Sequence, residues 1–407
     1  MANLFYKIYR RSAGVFAAVI AVLMSAALTF QQLLPDRYFV ESGSSLEFGS
    51  SYKNLITFDS GSEASAEVIS RGKSSYFSEM RLLGMIPIKS VHVEVTNDKT
   101  VTVCGTPFGI KMFTDGVLIV GLSRISSEHG FVCPAVDSGI SEGDIICSVN
   151  GEKVYTNEDV ALSIGNSGGS ALSMLIKRGE KMSTVSVTPV LTDDGSGYKI
   201  GVWVRDSSAG IGTLTFYDSE SMSFAGLGHA VCDVDTGEIL SLLSGEIVPA
   251  AINKVKKGAT GAPGELCGSF LSTKAIGTIS KNGEAGVYGT LSTEPGGTVF
   301  PIAPKQEVHE GAATILSTVS GSKPKEYQIS IEKISLAENA LTKNMVIKVT
   351  DSELLKATGG IVQGMSGSPI IQDGRLVGAV THVFVNDPTK GYAIFAENMY
   401  SVSCESK

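Results

Sequence analysis

The sequence predicts a mainly β protein carried on one apolar N-terminal helix, and three observations point there. Glycine is plentiful, 46 of 407 residues, against roughly 7% in average chains; it suits turns and weakens helix interiors. Short runs such as Val91-His92-Val93-Glu94-Val95 and Val346-Ile347-Lys348-Val349 carry the two-residue period of half-buried strands. Lys7, Arg10 and Arg11 precede an uncharged run from Ala13 to Phe30, and the first acid in the chain is Asp36. The hydrophobic share of 43% against 18% charged residues excludes a disordered chain. Six Cys are too few for a disulfide scaffold. A net charge of −8 argues against a general nucleic-acid binder, which needs a basic face.

The N-terminal run comes first. As a helix rising about 1.5 Å per residue, Ala13–Phe30 spans about 27 Å, close to the bilayer hydrocarbon thickness. Positive charge before it keeps the N-terminus in the cytoplasm and sends the remainder across. This divides the start of the chain into a cytoplasmic tail (1–12) and a transmembrane signal-anchor (13–34). Ser25-Ala26-Ala27 also offers the small residues of a cleavable signal peptide. On either reading the bulk of the chain is extracytoplasmic. Residues 35–104 read as a flexible, Ser- and Gly-rich linker followed by a short β region. The Cys show no C-x-x-C spacing, so no zinc site is indicated. Cys133 and Cys147 are close enough in sequence to bridge, which sequence does not decide.

Residues 105–192 read as one compact unit. Phe108-Gly109-Ile110-Lys111 leads into Gly116-Val117-Leu118-Ile119-Val120, then Ser138-Gly139-Ile140, Gly143-Asp144-Ile145-Ile146 and Val149-Asn150-Gly151. Asn150-Gly151 suits a type I′ hairpin turn. Asn157 to Ile164 reads as a short helix with Val160, Ala161 and Ile164 on one face. This order resembles a bacterial PDZ domain of the circularly permuted type found in secreted proteases. The resemblance implies that an extended peptide lies between that helix and a strand, its carboxylate in a loop of backbone N–H groups. Phe108, Gly109 and Ile110 match that loop.

Asp193-Asp194-Gly195-Ser196-Gly197 reads as a linker, and residues 193–407 form the last unit, rich in short strands and Gly turns. Such texture suits a β-barrel or a pair of barrels. Its strongest motif is Gly364-Met365-Ser366-Gly367-Ser368-Pro369. This resembles the nucleophile loop of chymotrypsin-like and HtrA-like serine proteases, which predicts a double β-barrel. In such a loop the N–H groups of Gly364 and Ser366 form an oxyanion hole, stabilising charge that develops only in the transition state.

Serine needs a base to take its proton, and the chain has five His. His92 and His129 lie outside the last unit's span, and His309 stands beside Glu307 and Glu310. His229 lies in the apolar, Gly-flanked run Phe224-Ala225-Gly226-Leu227-Gly228-His229 and is the expected base. His382, on the strand after the nucleophile loop, is the rival. The orienting acid is less defined. Asp351 precedes Ser366 but reads locally as the N-cap of a short helix, Asp351-Ser352-Glu353-Leu354-Leu355. Asp233 and Asp235 read as turn residues.

Taken together, the apolar run, the PDZ-like unit, Gly226-Leu227-Gly228-His229, Gly264-Glu265 and Gly360-Ile361-Val362-Gln363-Gly364-Met365-Ser366-Gly367-Ser368-Pro369 resemble the stage IV sporulation protein B peptidases of endospore formers. The resemblance implies a membrane-anchored serine endopeptidase in the space between the forespore membranes. It would cleave itself and a regulator of an intramembrane metalloprotease, so triggering sigma-factor processing. It matches Ser366, His229 and Asp351 to the family's catalytic positions and implies no cofactor or metal. A quality-control protease resembling HtrA and a non-catalytic PDZ adaptor are the competing readings.

Overall fold

The computed structural model describes residues 2–59, 75–96, 99–128, 130–337 and 341–405. Helix α1 (Ala2–Leu33) contains a span, Arg10–Leu33, long and apolar enough to cross a membrane, by features that a signal sequence shares. The Lys89 ammonium closes its far end. It bonds the carbonyls of Leu34 and, at 3.1 Å, Gln31, and pairs with Asp36 at 2.6 Å. A cation there complements the negative end of the helix dipole.

The stretch expected as a flexible linker is a sheet in its own right. Strands β1 (Arg37–Glu41), β2 (Ile56–Asp59), β3 (Ser75–Leu82) and β4 (Ile86–Thr96) run in the order β1-β4-β3-β2. Alternation explains it: Tyr38, Met80, Val91 and Val93 are fully buried, and the rings of Tyr38, Phe48 and Phe58 meet edge-on or tilted. Much of the Ser-rich region expected to be mobile, residues 60–74, lies outside the described residues, as does His129.

Strand β5 (Thr100–Leu122) is long enough to serve two units. Beyond it come β6 (Ile145–Val149), helix α2 (Asn157–Gly165), β7 (Leu172–Arg178) and β8 (Lys181–Val187). The predicted turn is present, with positive φ at both Asn150 (51°) and Gly151 (86°). A reciprocal capping box between Thr156 and Asp159 starts α2. Val117, Ile119, Ile146, Val160, Ile164, Met174 and Ile200 close one apolar core, that of the PDZ domain. Its edge therefore falls within β5 and not at residue 105, and it takes in Ile200, beyond the expected end at 192.

β5 and β9 (Val202–Tyr217) pair along most of their lengths, from Val202 opposite Leu122 to Tyr217 opposite Thr102. Their far halves join β10 (Ser223–Gly226), β11 (Leu242–Lys256), β13 (Gly277–Gly283) and β14 (Gly286–Leu291). The ring β5-β9-β10-β14-β13-β11 closes because β11 also pairs with β5. β12 (Glu265–Phe270) forms a hairpin with β11 on the outside. The second barrel is closed as well. Its strands are β15 (Gly311–Ser317), β16 (Lys325–Ile334), β17 (Met345–Val349), β18 (Pro369–Gln372), β19 (Arg375–Val383) and β20 (Lys390–Phe395), in the order β15-β16-β17-β20-β19-β18. Helix α3 (Ser352–Thr358) follows β17, and α4 (Ala396–Glu405) ends the described chain. The protein is thus mainly β, with an apolar N-terminal helix, a PDZ domain and a chymotrypsin-like double barrel. All six Cys are free thiols.

Ile347 and Ile315 are wholly buried in the second barrel. Ile347→Ala removes a packed side chain from a site with little room to collapse and is expected to destabilise that barrel by about 2–5 kcal/mol, measured by denaturant unfolding.

Candidate active site

The site forms where the two barrels touch. Gly364 (φ 94°) and Gly367 (φ 91°) occupy the left-handed region, which a side chain tolerates poorly. At Gly367 space also forbids one: a Cβ would lie 2.2 Å from the Thr213 carbonyl oxygen and 2.6 Å from the Leu227 nitrogen. The Gly364–Pro369 loop is pressed directly against β9 and the segment leading to His229. Three bonds fix it there. Thr213 N–H donates to the Ser366 carbonyl (3.2 Å), Thr213 Oγ1 to the Gly364 carbonyl (2.9 Å), and the buried Thr215 Oγ1 to the Gly367 carbonyl (2.8 Å). From its own barrel, Gly367 N–H donates to the Val380 carbonyl at 2.7 Å.

Ser366 is half-buried, and its hydroxyl donates to the Thr381 carbonyl at 2.8 Å. The N–H groups of Gly364 and Ser366 donate to no acceptor among the described residues. Two neighbouring backbone donors are thus left unspent by the fold.

His229 follows two residues of positive φ, Leu227 (65°) and Gly228 (71°), which turn the chain out of β10. No side chain fits easily at Gly228, where a Cβ would meet Ile394 and Thr381 at 3.0 Å. The imidazole Nδ1 lies 2.8 Å from the Ala230 carbonyl oxygen. A carbonyl only accepts, so the bond puts the proton on Nδ1 and leaves Nε2 as the basic nitrogen. Burial pushes the His229 pKa down, and the bond to Ala230 only partly opposes this. Asn282 secures the following backbone: its side chain accepts from Val231 N–H (2.8 Å) and donates to the carbonyls of Val231 and Leu240 (2.9 Å each).

The rival base stands beside it. The His382 ring centroid is 5.1 Å from that of His229, the planes tilted by 38°. Its pKa is pushed down to about 4 by desolvation, then by His229 and Lys343. The two imidazoles line one cavity of about 390 Å³ together with Glu284 and Lys343.

Two groups of expected residues are not brought here. The Asp351 Oδ1 accepts from Glu353 N–H and Leu354 N–H, both at 2.9 Å, and Oδ2 from Gln328 N–H at 3.3 Å. It is the N-cap of α3, and these bonds hold its carboxyl below the usual range. In register, His382 lies opposite Tyr392 and that opposite Val346; Asp351 is five residues farther along, roughly 16 Å at strand rise. Asp351 thus caps α3, and the partner of His229 Nδ1 is the Ala230 carbonyl. Asp233 and Asp235 pair with Arg205 on β9.

Phe108, Gly109 and Ile110 are also corrected. They lie inside β5 with both edges paired, Gly109 opposite Ile211 and Val248, and Phe108 and Ile110 are buried. No edge remains there for a peptide. The PDZ groove, about 840 Å³, instead runs between α2 and the stretch Tyr198–Val204, with Val160, Ala161 and Ile164 on its helix side. The missed signal was Gly197-Tyr198-Lys199-Ile200-Gly201, whose two glycines have φ of 114° and 83° and bracket the turn into β9.

A family model described as SpoIVB peptidase S55 matches residues 196–400. Among curated proteins, the chain is 30% identical over 160 residues to a periplasmic serine endoprotease DegP-like protein of Brucella suis, covering 38% of this chain and 29% of that one. It is 41% identical over 56 residues to serine protease HTRA1 of Xenopus tropicalis, covering 14% and 12%. The chain therefore spans less than a third of these relatives' lengths. Among solved structures, the HtrA-type protease AlgW with decapeptide aligns at a TM-score of 0.30 and 11% identity, covering 53% of this chain and 58% of that one. The family match runs over half of the chain and takes in His229, the turn that aims it, and the whole loop that presents Ser366. The chain belongs to the SpoIVB peptidase S55 family.

Proposed function

We propose that Ser366 is the nucleophile, His229 its base, and the N–H groups of Gly364 and Ser366 the oxyanion hole. The observation that carries this is the direct seating of the Ser366 loop against the His229 segment, with no room for even one carbon between Gly367 and Leu227. In the reaction the Ser366 hydroxyl leaves the Thr381 carbonyl, gives its proton to Nε2 of His229, and bonds to the scissile carbonyl carbon. The carbonyl oxygen takes the negative charge and is met by the two free N–H groups. Collapse breaks the C–N bond, and the imidazolium returns its proton to the leaving amine. Water then repeats the sequence on the acyl-enzyme and restores the hydroxyl.

The finer reading is that of a membrane-anchored signalling peptidase of sporulation. It cleaves itself and a protein regulator of an intramembrane metalloprotease, which triggers sigma-factor processing across the forespore membranes. The family, the span-length N-terminal helix and the PDZ groove support it. Such a groove takes an extended segment as an added strand and tethers the chain to be cut.

Ser366→Ala and His229→Ala are each expected to abolish self-cleavage, followed on a gel, with losses of about 10⁴-fold or more. Persistent processing in both variants would overturn the assignment. The pH dependence follows from the lowered His229 pKa. Activity is present while the imidazole is neutral and is lost as pH falls through that pKa. The acidic limb of kcat/KM is therefore expected below pH 6.5, the unperturbed value for His.

A further inference from the structure

We propose that the β11–β12 hairpin holds the oxyanion hole open, and that Asp351 acts on catalysis through this hairpin and not through His229. The inference rests on the reading of Ser366 as nucleophile and adds positioning residues to it.

The argument starts from the peptide group. In a trans peptide the carbonyl and the next N–H point in opposite directions, so whatever holds a carbonyl also aims the following donor. The Gln363 carbonyl accepts from Leu266 N–H at 2.8 Å, and Gln363 N–H donates to the Gly264 carbonyl at 2.9 Å. This parallel bridge between Glu265 and Gln363 turns Gly364 N–H away from β12 and leaves it free. The partner donor, Ser366 N–H, is aimed from within the loop, because Ser368 N–H bonds the Met365 carbonyl at 2.9 Å. One half of the hole is thus local, while the other depends on a hairpin from the opposite barrel.

That hairpin has no slack at its contact. A Cβ on Gly264 would lie 2.3 Å from the Lys256 carbonyl oxygen, 2.4 Å from the Gly258 nitrogen and 2.7 Å from Val362 Cγ1. A side chain there forces the hairpin's own two arms apart and presses on Val362, the residue before Gln363, so it disturbs the bridge that orients Gly364 N–H. The turn side is pinned by α3. Gly258 N–H donates to the Thr358 carbonyl at 2.8 Å, and Gly359, the αL cap of α3, packs so closely that its Cβ would be 2.4 Å from the Gly258 oxygen. Asp351 holds the other end of that helix. The connection runs from Asp351 through α3 to Gly258, along the hairpin to Leu266, and across to Gln363 and Gly364.

The test uses the full chain in detergent micelles, reading the rate of Ser366 labelling by a fluorophosphonate, the self-cleavage rate and the melting temperature. Gly264→Ala is expected to label at least tenfold more slowly while melting within a few degrees of the parent. Asp351→Ala is expected to slow labelling similarly, and Asp351→Asn to restore most of the rate, because an amide oxygen still caps the helix. An acid that oriented His229 would give the reverse: Asp351→Asn as slow as Asp351→Ala, with a displaced acidic limb in the pH profile. That result, or parental labelling in Gly264→Ala, overturns the proposal. Should Gly264→Ala fail to fold, the two variants at 351 decide alone. Ser366→Ala separates the underlying reading: a variant still labelled and self-cleaved overturns the nucleophile and this inference with it, whereas parental rates in Gly264→Ala overturn the hairpin's role only.

Discussion

One residue holds the two barrels in working register. Thr213 bonds Ser366 through its N–H, Gly364 through its hydroxyl, and Leu227 through its carbonyl, which accepts that residue's N–H at 3.3 Å. Ser366, Gly364 and the turn before His229 therefore share one residue as their common reference. Each bond is worth only about 1 kcal/mol net. Together they fix relative position, and a catalytic constellation is sensitive to errors of about an ångström. The glycine at 367 follows from this constraint, since the backbone of Thr213 and Leu227 leaves no volume for a side chain there.

What the sequence made legible follows the range of the forces involved. The Gly364–Pro369 loop is a local object, and its glycines and serine can be read without knowing the rest of the chain. His229 is legible for a related reason, as a titratable ring in a run that is otherwise apolar and flanked by glycine. Asp351 shows the opposite case. Its local reading as a helix cap is what the structure contains, and the resemblance to a family gave it a role that the geometry does not bring about.

Alternation is blind to which domain a strand serves. Phe108 and Ile110 belong to the first barrel's core, Val117 and Ile119 to the PDZ core, yet all four lie on β5. The turn at Asn150-Gly151 and the helix from Asn157 are set by short-range chemistry and are legible in the sequence. The Ser-rich composition around residues 42–51 masked a compact sheet whose Tyr38, Phe48 and Phe58 meet only in three dimensions.

The shared pair β5 and β9 also bears on how the chain reaches this state. The PDZ core lies between the two strands in sequence, so the pairing of Val103 with Phe216 spans more than a hundred residues of chain. Closing so large a loop from a coil is slow, because entropy is lost before contacts repay it. Once the PDZ unit has folded from its local hairpins and helix, it delivers both strand ends side by side, at Leu122 and Val202. The remaining pairing then propagates as a ladder already begun. In this topology the inserted domain is a folding template for the barrel that carries His229.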